Sequence, residues 1–162
     1  MTAATTMTKP TARVLAIGVL RLGLGALFLI AGALKWRDPV GFAEEIANYR
    51  VWPAAAPYLA AVLPVLEITL ALSLLAAPRA WRRAAAAALF VVTVTFTIAV
   101  GSAVVRGLDI SCGCFGGGSG RVTWLTVLRN IALLGAAGWL AWAWRDPEAG
   151  PGGVSVPLGH SV

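Results

Sequence analysis

The sequence predicts an all-α, polytopic membrane protein, a bundle of four transmembrane helices. Of its 162 residues, 59% are hydrophobic and only 12% are charged, and the mean hydropathy is +0.80. A soluble domain has about a quarter charged residues, so this chain has too little polar surface for water. Four apolar stretches each reach the roughly 20 residues that a bilayer-crossing helix needs, at about 14–34, 54–77, 84–105 and 122–144.

The first apolar stretch follows Lys9 and Arg13, as the apolar part of a signal peptide would. It is long, however, and the sequence Lys-Trp-Arg follows it in place of small residues, so we expect a retained helix. We therefore predict a disordered cytoplasmic N-terminus over 1–12, a membrane domain over 13–145 and a disordered tail over 146–162.

The connection between the first two stretches has its own helical pattern. Asp38 followed by Pro39 is typical of a helix cap and first-turn pair. Phe42, Ile46 and Tyr49 then recur at helical spacing. We expect a short helix lying in the membrane interface.

Three ionisable residues, Arg21, Glu67 and Arg129, lie inside the predicted spans and should face the bundle interior. Arg21 precedes the first outer connection by thirteen residues, and Glu67 follows it by the same number. Both should therefore lie about 20 Å from that side, which predicts an Arg21–Glu67 ion pair. The pair either fastens two helices together or serves binding or proton transfer.

Arg129 should lie only about 10 Å below the surface that carries the cysteine loop. One interpretation is that its side chain extends to the interface. The other is that its charge faces a thiolate or a ligand carbonyl beneath the loop.

Charge gives the expected orientation. Six Lys and Arg residues fall on the side of the termini and five on the other, and the termini-side connection "PRAWRR" has no acidic residue. We expect both termini in the cytoplasm and the cysteine loop outside.

The net charge of +6 is scattered, with no basic run longer than the pair Arg82-Arg83, so nucleic acid is not an expected partner.

The only two cysteines, Cys112 and Cys114, are separated by Gly113 within the sequence "DISCGCFGGG". A disulfide across one residue has distorted torsions, which favours exchange over a structural role. Copper(I) binding by two thiolates is the alternative, although no Met or His lies nearby in sequence, and no other metal site is expected. Because the chain has one cysteine pair, any electron relay must continue on a cofactor or another protein.

The chain resembles the MauE group of the DoxX-like membrane proteins. The matching segments are "RLGLGALFLIAGALKWRDP", "FAEEIANYRVWP", "LPVLEITLAL" and "DISCGCFG". The resemblance implies a bacterial cytoplasmic-membrane protein that assists maturation of a disulfide-rich periplasmic enzyme, methylamine dehydrogenase, beside a thioredoxin-like partner. Wider relatives include membrane subunits of quinone-reducing complexes, so a quinone is left open as the electron acceptor.

These observations favour a membrane thiol–disulfide redox protein in which Cys112 and Cys114 react. Its supporting residues are Gly113, Phe115, Gly116 and Arg129. The alternative is a non-catalytic DoxX-like subunit that anchors a partner or binds quinone. The sequence leaves the oligomeric state open.

Overall fold

The computed structural model describes residues 8–113 and 120–144, with side chains described from residue 12. Within these residues the chain is helical, and its only strand-like feature is one isolated bridge. A 3₁₀ turn at Pro53–Ala55 leads into the third helix. The helices are α1 Thr8–Arg37, α2 Pro39–Asn48, α3 Ala56–Ala76, α4 Arg79–Val105 and α5 Trp124–Ala143.

Four of these helices, α1, α3, α4 and α5, are long and apolar enough to cross a membrane. Helix α1 begins at Thr8, six residues before the predicted apolar stretch. Helix α4 begins at Arg79, five residues before the predicted apolar stretch. The predicted stretch started later because the arginines of "RAWRR" lower the hydropathy. Arg and Ala are nevertheless good helix formers, so the helix begins directly after Pro78. The predicted tail from 146 lies outside the described residues.

The short helix α2 forms where Asp38 and Pro39 predicted it. The Asp38 carboxylate caps the helix by accepting a 2.9 Å hydrogen bond from the backbone N–H of Gly41, and Pro39 opens the first turn. Phe42 is 2% exposed, because α2 packs chiefly against α3. Helix α2 therefore lies beside the start of α3 and does not form a further span.

The four long helices pack as pairs, α1 against α3 and α4 against α5, with α3 also contacting α4. Apolar side chains from all four helices meet in one core, which includes Leu24, Leu74, Leu89 and Leu140. This core lies towards the end of the bundle where α1 and α4 begin.

Two glycines set the alignment of α1 on α3. A Cβ atom at Gly25 would lie 2.5 Å from the side chain of Leu75. A Cβ atom at Gly32 would lie 3.0 Å from the carbonyl oxygen of Pro64 and 3.3 Å from the Cβ of Glu67. The two antiparallel helices therefore meet closely, with Gly32 level with Pro64 and Glu67.

Candidate functional site

A second cluster of buried residues lies at the opposite end of the bundle, where α1 and α4 end. It joins Tyr49, Val100, Ala103 and Cys112, with Ile110, Val122 and other apolar residues around it. The cluster fixes the first cysteine against the end of α4. This end of the molecule is called the cysteine end below.

Backbone hydrogen bonds close the base of the cysteine loop. The N–H of Cys112 donates to the carbonyl of Gly120 at 3.2 Å, and the N–H of Val122 donates to the carbonyl of Ile110 at 2.9 Å. They flank the isolated antiparallel bridge between Ser111 and Arg121. The loop is thereby tethered just before α5. Three predicted site residues, Cys114, Phe115 and Gly116, lie outside the described residues.

Cys112 is 4% exposed and is disulfide-bonded rather than a free thiol. The guanidinium of Arg129, on α5, donates to its Sγ at 3.6 Å. A positive charge beside sulfur stabilises the thiolate that forms when a disulfide is reduced. The structure thus places the Arg129 guanidinium beside the sulfur of Cys112.

Tyr49 holds the backbone of the same cysteine. Its hydroxyl donates to the carbonyl oxygen of Cys112 at 2.8 Å, and the Arg106 guanidinium donates to the carbonyl oxygen of Tyr49 at 2.5 Å. Burial raises the pKa of Tyr49 to about 12; the Glu45 charge adds to the shift and Arg129 opposes it. The phenol therefore stays protonated, and able to donate, across the physiological range.

Gly113 and Glu45 meet directly beside the first cysteine. Gly113 has φ +69°, a backbone conformation that residues with a side chain rarely adopt. A Cβ atom at this position would lie 2.9 Å from Oε2 of Glu45. Glu45 Oε2 is buried without a hydrogen-bond partner. Burial raises the pKa of Glu45 above its ordinary value; the Asp38 charge adds to this, and Lys35 lowers it. Sequence reasoning assigned Glu45 no role, because only tertiary packing brings α2 against the loop.

An apolar pocket of about 300 Å³ opens beside these groups, between α2, α3 and α4. Cys112, Gly113 and Glu45 form part of its wall. Most of the remaining lining is apolar, and includes Phe42, Ile46, Trp52, Leu63, Val92, Phe96 and Ala99. The site thus combines a sulfur, a carboxyl group and room for an apolar ligand.

The predicted Arg21–Glu67 ion pair is wrong, because Glu67 pairs with Lys35. The Lys35 ammonium donates to Oε1 of Glu67 at 2.5 Å, and both side chains are 2% exposed. Lys35 Nζ also lies 5.2 Å from the ring centre of Phe42 and 5.1 Å from that of Phe96. The missed signal is that Lys35 continues the helical stripe of Arg21, Phe28 and Gly32.

Arg21 lies at the other end of the bundle. It lines a cleft with Arg79, Arg82 and Trp144. The prediction counted residues from the outer ends of α1 and α3 and assumed that these two ends lie at the same depth, which they do not. The alignment of Gly25 with Leu75 instead places Arg21 near the end of α3, about 21 Å along α1 from Lys35.

A small cavity of about 40 Å³ is lined both by the buried ion pair and by Arg129, the residue that contacts the cysteine. Its polar lining comprises Lys35, Glu67, Thr93, Asn130 and Arg129. Thr93 and Asn130 are each 4% exposed. Arg129 therefore contacts the Cys112 sulfur and also lines a polar cavity inside the bundle.

Four membrane-length helices with a cysteine held at one end define a multi-pass membrane protein with a candidate thiol–disulfide site. The family model described as "Methylamine utilisation protein MauE" matches residues 13–143. The chain belongs to the MauE family.

Two curated relatives support this assignment. The chain is 38% identical over 139 residues to the methylamine utilization protein MauE of Paracoccus denitrificans, covering 84% of this chain and 73% of the relative. It is 37% identical over 136 residues to the MauE protein of Methylorubrum extorquens, covering 80% and 72%. No solved structure matches the chain significantly.

Proposed function

We propose that this protein is a membrane thiol–disulfide oxidant in methylamine utilisation. The disulfide between Cys112 and Cys114 accepts two electrons from a partner. The partner's two thiols become a disulfide, and the two cysteines become a dithiol. The partner is an extracytoplasmic thioredoxin-like protein that passes the oxidising equivalents to a disulfide-rich enzyme. From the resemblance to the MauE group, we infer that this enzyme is methylamine dehydrogenase.

The observation that carries the proposal is the way Cys112 is held. Tyr49 fixes its carbonyl oxygen, and Arg129 points a guanidinium at its sulfur. A purely structural cysteine needs no charge at its sulfur, whereas a leaving thiolate is stabilised by one. Glu45 supports the same role, since its buried Oε2 lies against Gly113 and suits a group that takes a thiol proton.

The dithiol must then be oxidised again, which requires an acceptor. The apolar pocket beside Cys112 fits the ring of a quinone, because it has about 300 Å³ of space and one half-buried carboxyl group, Glu45. A bound quinone would take up the two electrons and two protons and leave as the quinol. Phe42, Leu63 and Ala99 would hold its ring.

The first experiment tests the thiol chemistry. The variants Cys112→Ala and Cys114→Ala are each expressed in the native host, and free thiols are blocked by acid quench and alkylation. One of the two should accumulate as a mixed disulfide with a single extracytoplasmic protein, detectable by a reductant-sensitive gel shift and mass spectrometry. The double variant is the control and should capture nothing. Full enzyme maturation in both single variants would instead favour a non-catalytic anchoring subunit.

The second experiment tests the acceptor. The purified protein is reduced, desalted and mixed with a short-chain ubiquinone, and quinol formation and thiol loss are followed together. Ala99→Phe fills the pocket and should slow quinol formation at least tenfold. The matched control Ala87→Phe adds the same ring to an exposed face of α4 and should react normally. Equal rates in the two variants would exclude this pocket as the quinone site.

A further inference from the structure

The end of the bundle away from the cysteines carries a basic cleft that the proposed redox function does not use. Arg21 of α1 and Arg79 and Arg82 of α4 line it, together with Val14, Ile17, Gly18 and Trp144. The cleft has a volume of about 430 Å³. Three guanidinium groups from two helices therefore share one recess.

The described residues supply no counter-charge to this cleft. Their two ion pairs, Lys35–Glu67 and Arg121–Asp109, involve other groups. The Nε atoms of Arg21 and Arg82 are buried without a hydrogen-bond partner. Unpaired buried donors are costly, so this arrangement favours a bound acceptor.

The start of α4 adds a second attraction for an anion. The first turn contains Arg79 and Arg82 and no acidic residue, and Pro78 provides no side-chain cap. The unpaired backbone N–H groups of a helix start carry partial positive charge. Guanidinium groups match phosphate oxygens with two parallel hydrogen bonds, which makes phosphate the acceptor this cleft suits best.

The surroundings of the cleft indicate a lipid rather than a soluble phosphate. Trp81 and Trp142 are 67% and 55% exposed, as expected of rings at the membrane interface. Val14 and Val19 are also exposed on the adjoining face of α1. A headgroup in the cleft would thus have apolar surface beside it for its acyl chains.

We propose that this cleft binds the phosphate headgroup of an anionic phospholipid, held by Arg21, Arg79 and Arg82. Basic pockets between membrane helices commonly recognise such headgroups. The site is independent of the cysteine chemistry, so its failure in a test would leave the proposed redox function intact.

The test uses the purified full chain in mild detergent, titrated with phosphatidylglycerol or phosphatidylcholine and analysed by native mass spectrometry. Phosphatidylglycerol should bind preferentially with one saturable adduct. Arg21→Gln and Arg82→Gln should each weaken it about tenfold, the loss expected for one charge-assisted hydrogen bond. Arg83→Gln, an exposed neighbour outside the cleft lining, is the matched control and should bind normally. Circular dichroism checks that each variant folds.

Three results would overturn the proposal. The first is equal binding of the two lipids, and the second is an equal loss in Arg83→Gln. The third is full displacement by millimolar inorganic phosphate, which would assign the cleft to a soluble anion. Asp146 and Glu148 lie outside the described residues, so D146N/E148Q is tested as well. This variant should bind phosphatidylglycerol as the wild type does. If only this variant binds the lipid, carboxylates of the chain itself neutralise the cleft, which would also contradict the proposal.

Discussion

Lys35 and Glu67 form a completely buried ion pair between α1 and α3, and the ammonium also lies between two aromatic rings. Burying such a pair costs desolvation free energy. Losing the interaction is costly mainly when one of the two charges stays behind, unpaired, in the interior. The second oxygen of Glu67 is buried without a hydrogen-bond partner. Removing one partner should therefore cost more than removing both.

We predict that Lys35→Met lowers the free energy of unfolding by about 3–5 kcal/mol, because it leaves Glu67 as an unpaired buried carboxylate. The double variant K35M/E67Q should recover most of this loss. The measurement is reversible unfolding in mixed micelles, followed by helical circular dichroism. Arg21→Met is the control; it should show no coupling to Glu67→Gln, and strong coupling there would restore the pairing predicted from the sequence.

Glu45 gives a pH-dependent prediction with a definite sign. Burial raises its pKa, so its contribution to stability is fully present below the ordinary value of 4.5 and is lost as pH rises through the raised value. Asp38 and Lys35 are the charged groups that act on it, and its own charge acts on Tyr49. Glu45→Gln should therefore gain thermal stability relative to the wild type as the pH rises above the ordinary pKa of 4.5.

The control for Glu45 is its exposed neighbour on α2. Glu44→Gln removes the same charge from an exposed position of α2 and should change the melting temperature only slightly. A pH profile of stability in Glu45→Gln that follows the wild type would show that another group titrates.

At the level of elements, the sequence predicted the four spans and the capped helix α2 because hydropathy and Asp38-Pro39 are local signals. Alignment between helices was not predictable in the same way. It depends on Gly25 and Gly32 meeting Leu75 and Pro64, contacts that no local pattern encodes. The proximity of Glu45 to Gly113, 68 residues further on, likewise follows only from packing.

The close contact of α1 and α3 can be tested at Gly32. We predict that Gly32→Ala costs about 1–3 kcal/mol, because its methyl group would be forced against the Pro64 backbone carbonyl, which cannot rotate away. Thermal unfolding in detergent measures the change. Gly23→Ala in the same helix meets no atom within 4 Å and should be neutral, or stabilising by up to about 1 kcal/mol. Equal effects in the two variants would contradict the close approach.

Across the whole molecule, the two ends of the bundle differ in charge. The cysteine end carries four acidic residues, Asp38, Glu44, Glu45 and Asp109, and also the basic residues Arg37, Arg50, Arg106 and Arg121. The start of α4 carries three arginines and no acidic residue in its first turn. Membrane proteins keep Lys and Arg in short cytoplasmic connections. From the acid-free start of α4 we predict that this end faces the cytoplasm. The proposed exchange with an extracytoplasmic partner requires the cysteine end to lie outside.

Orientation is tested with reporter cysteines in a background where Cys112 and Cys114 are both Ala. Gly120→Cys is exposed at the cysteine end and its added side chain meets no atom within 4 Å; Ala80→Cys is exposed at the start of α4. A membrane-impermeant maleimide should label Gly120→Cys in intact spheroplasts, and Ala80→Cys only after lysis. The reverse pattern would place the thiols in the reducing cytoplasm, where a disulfide oxidant is not maintained.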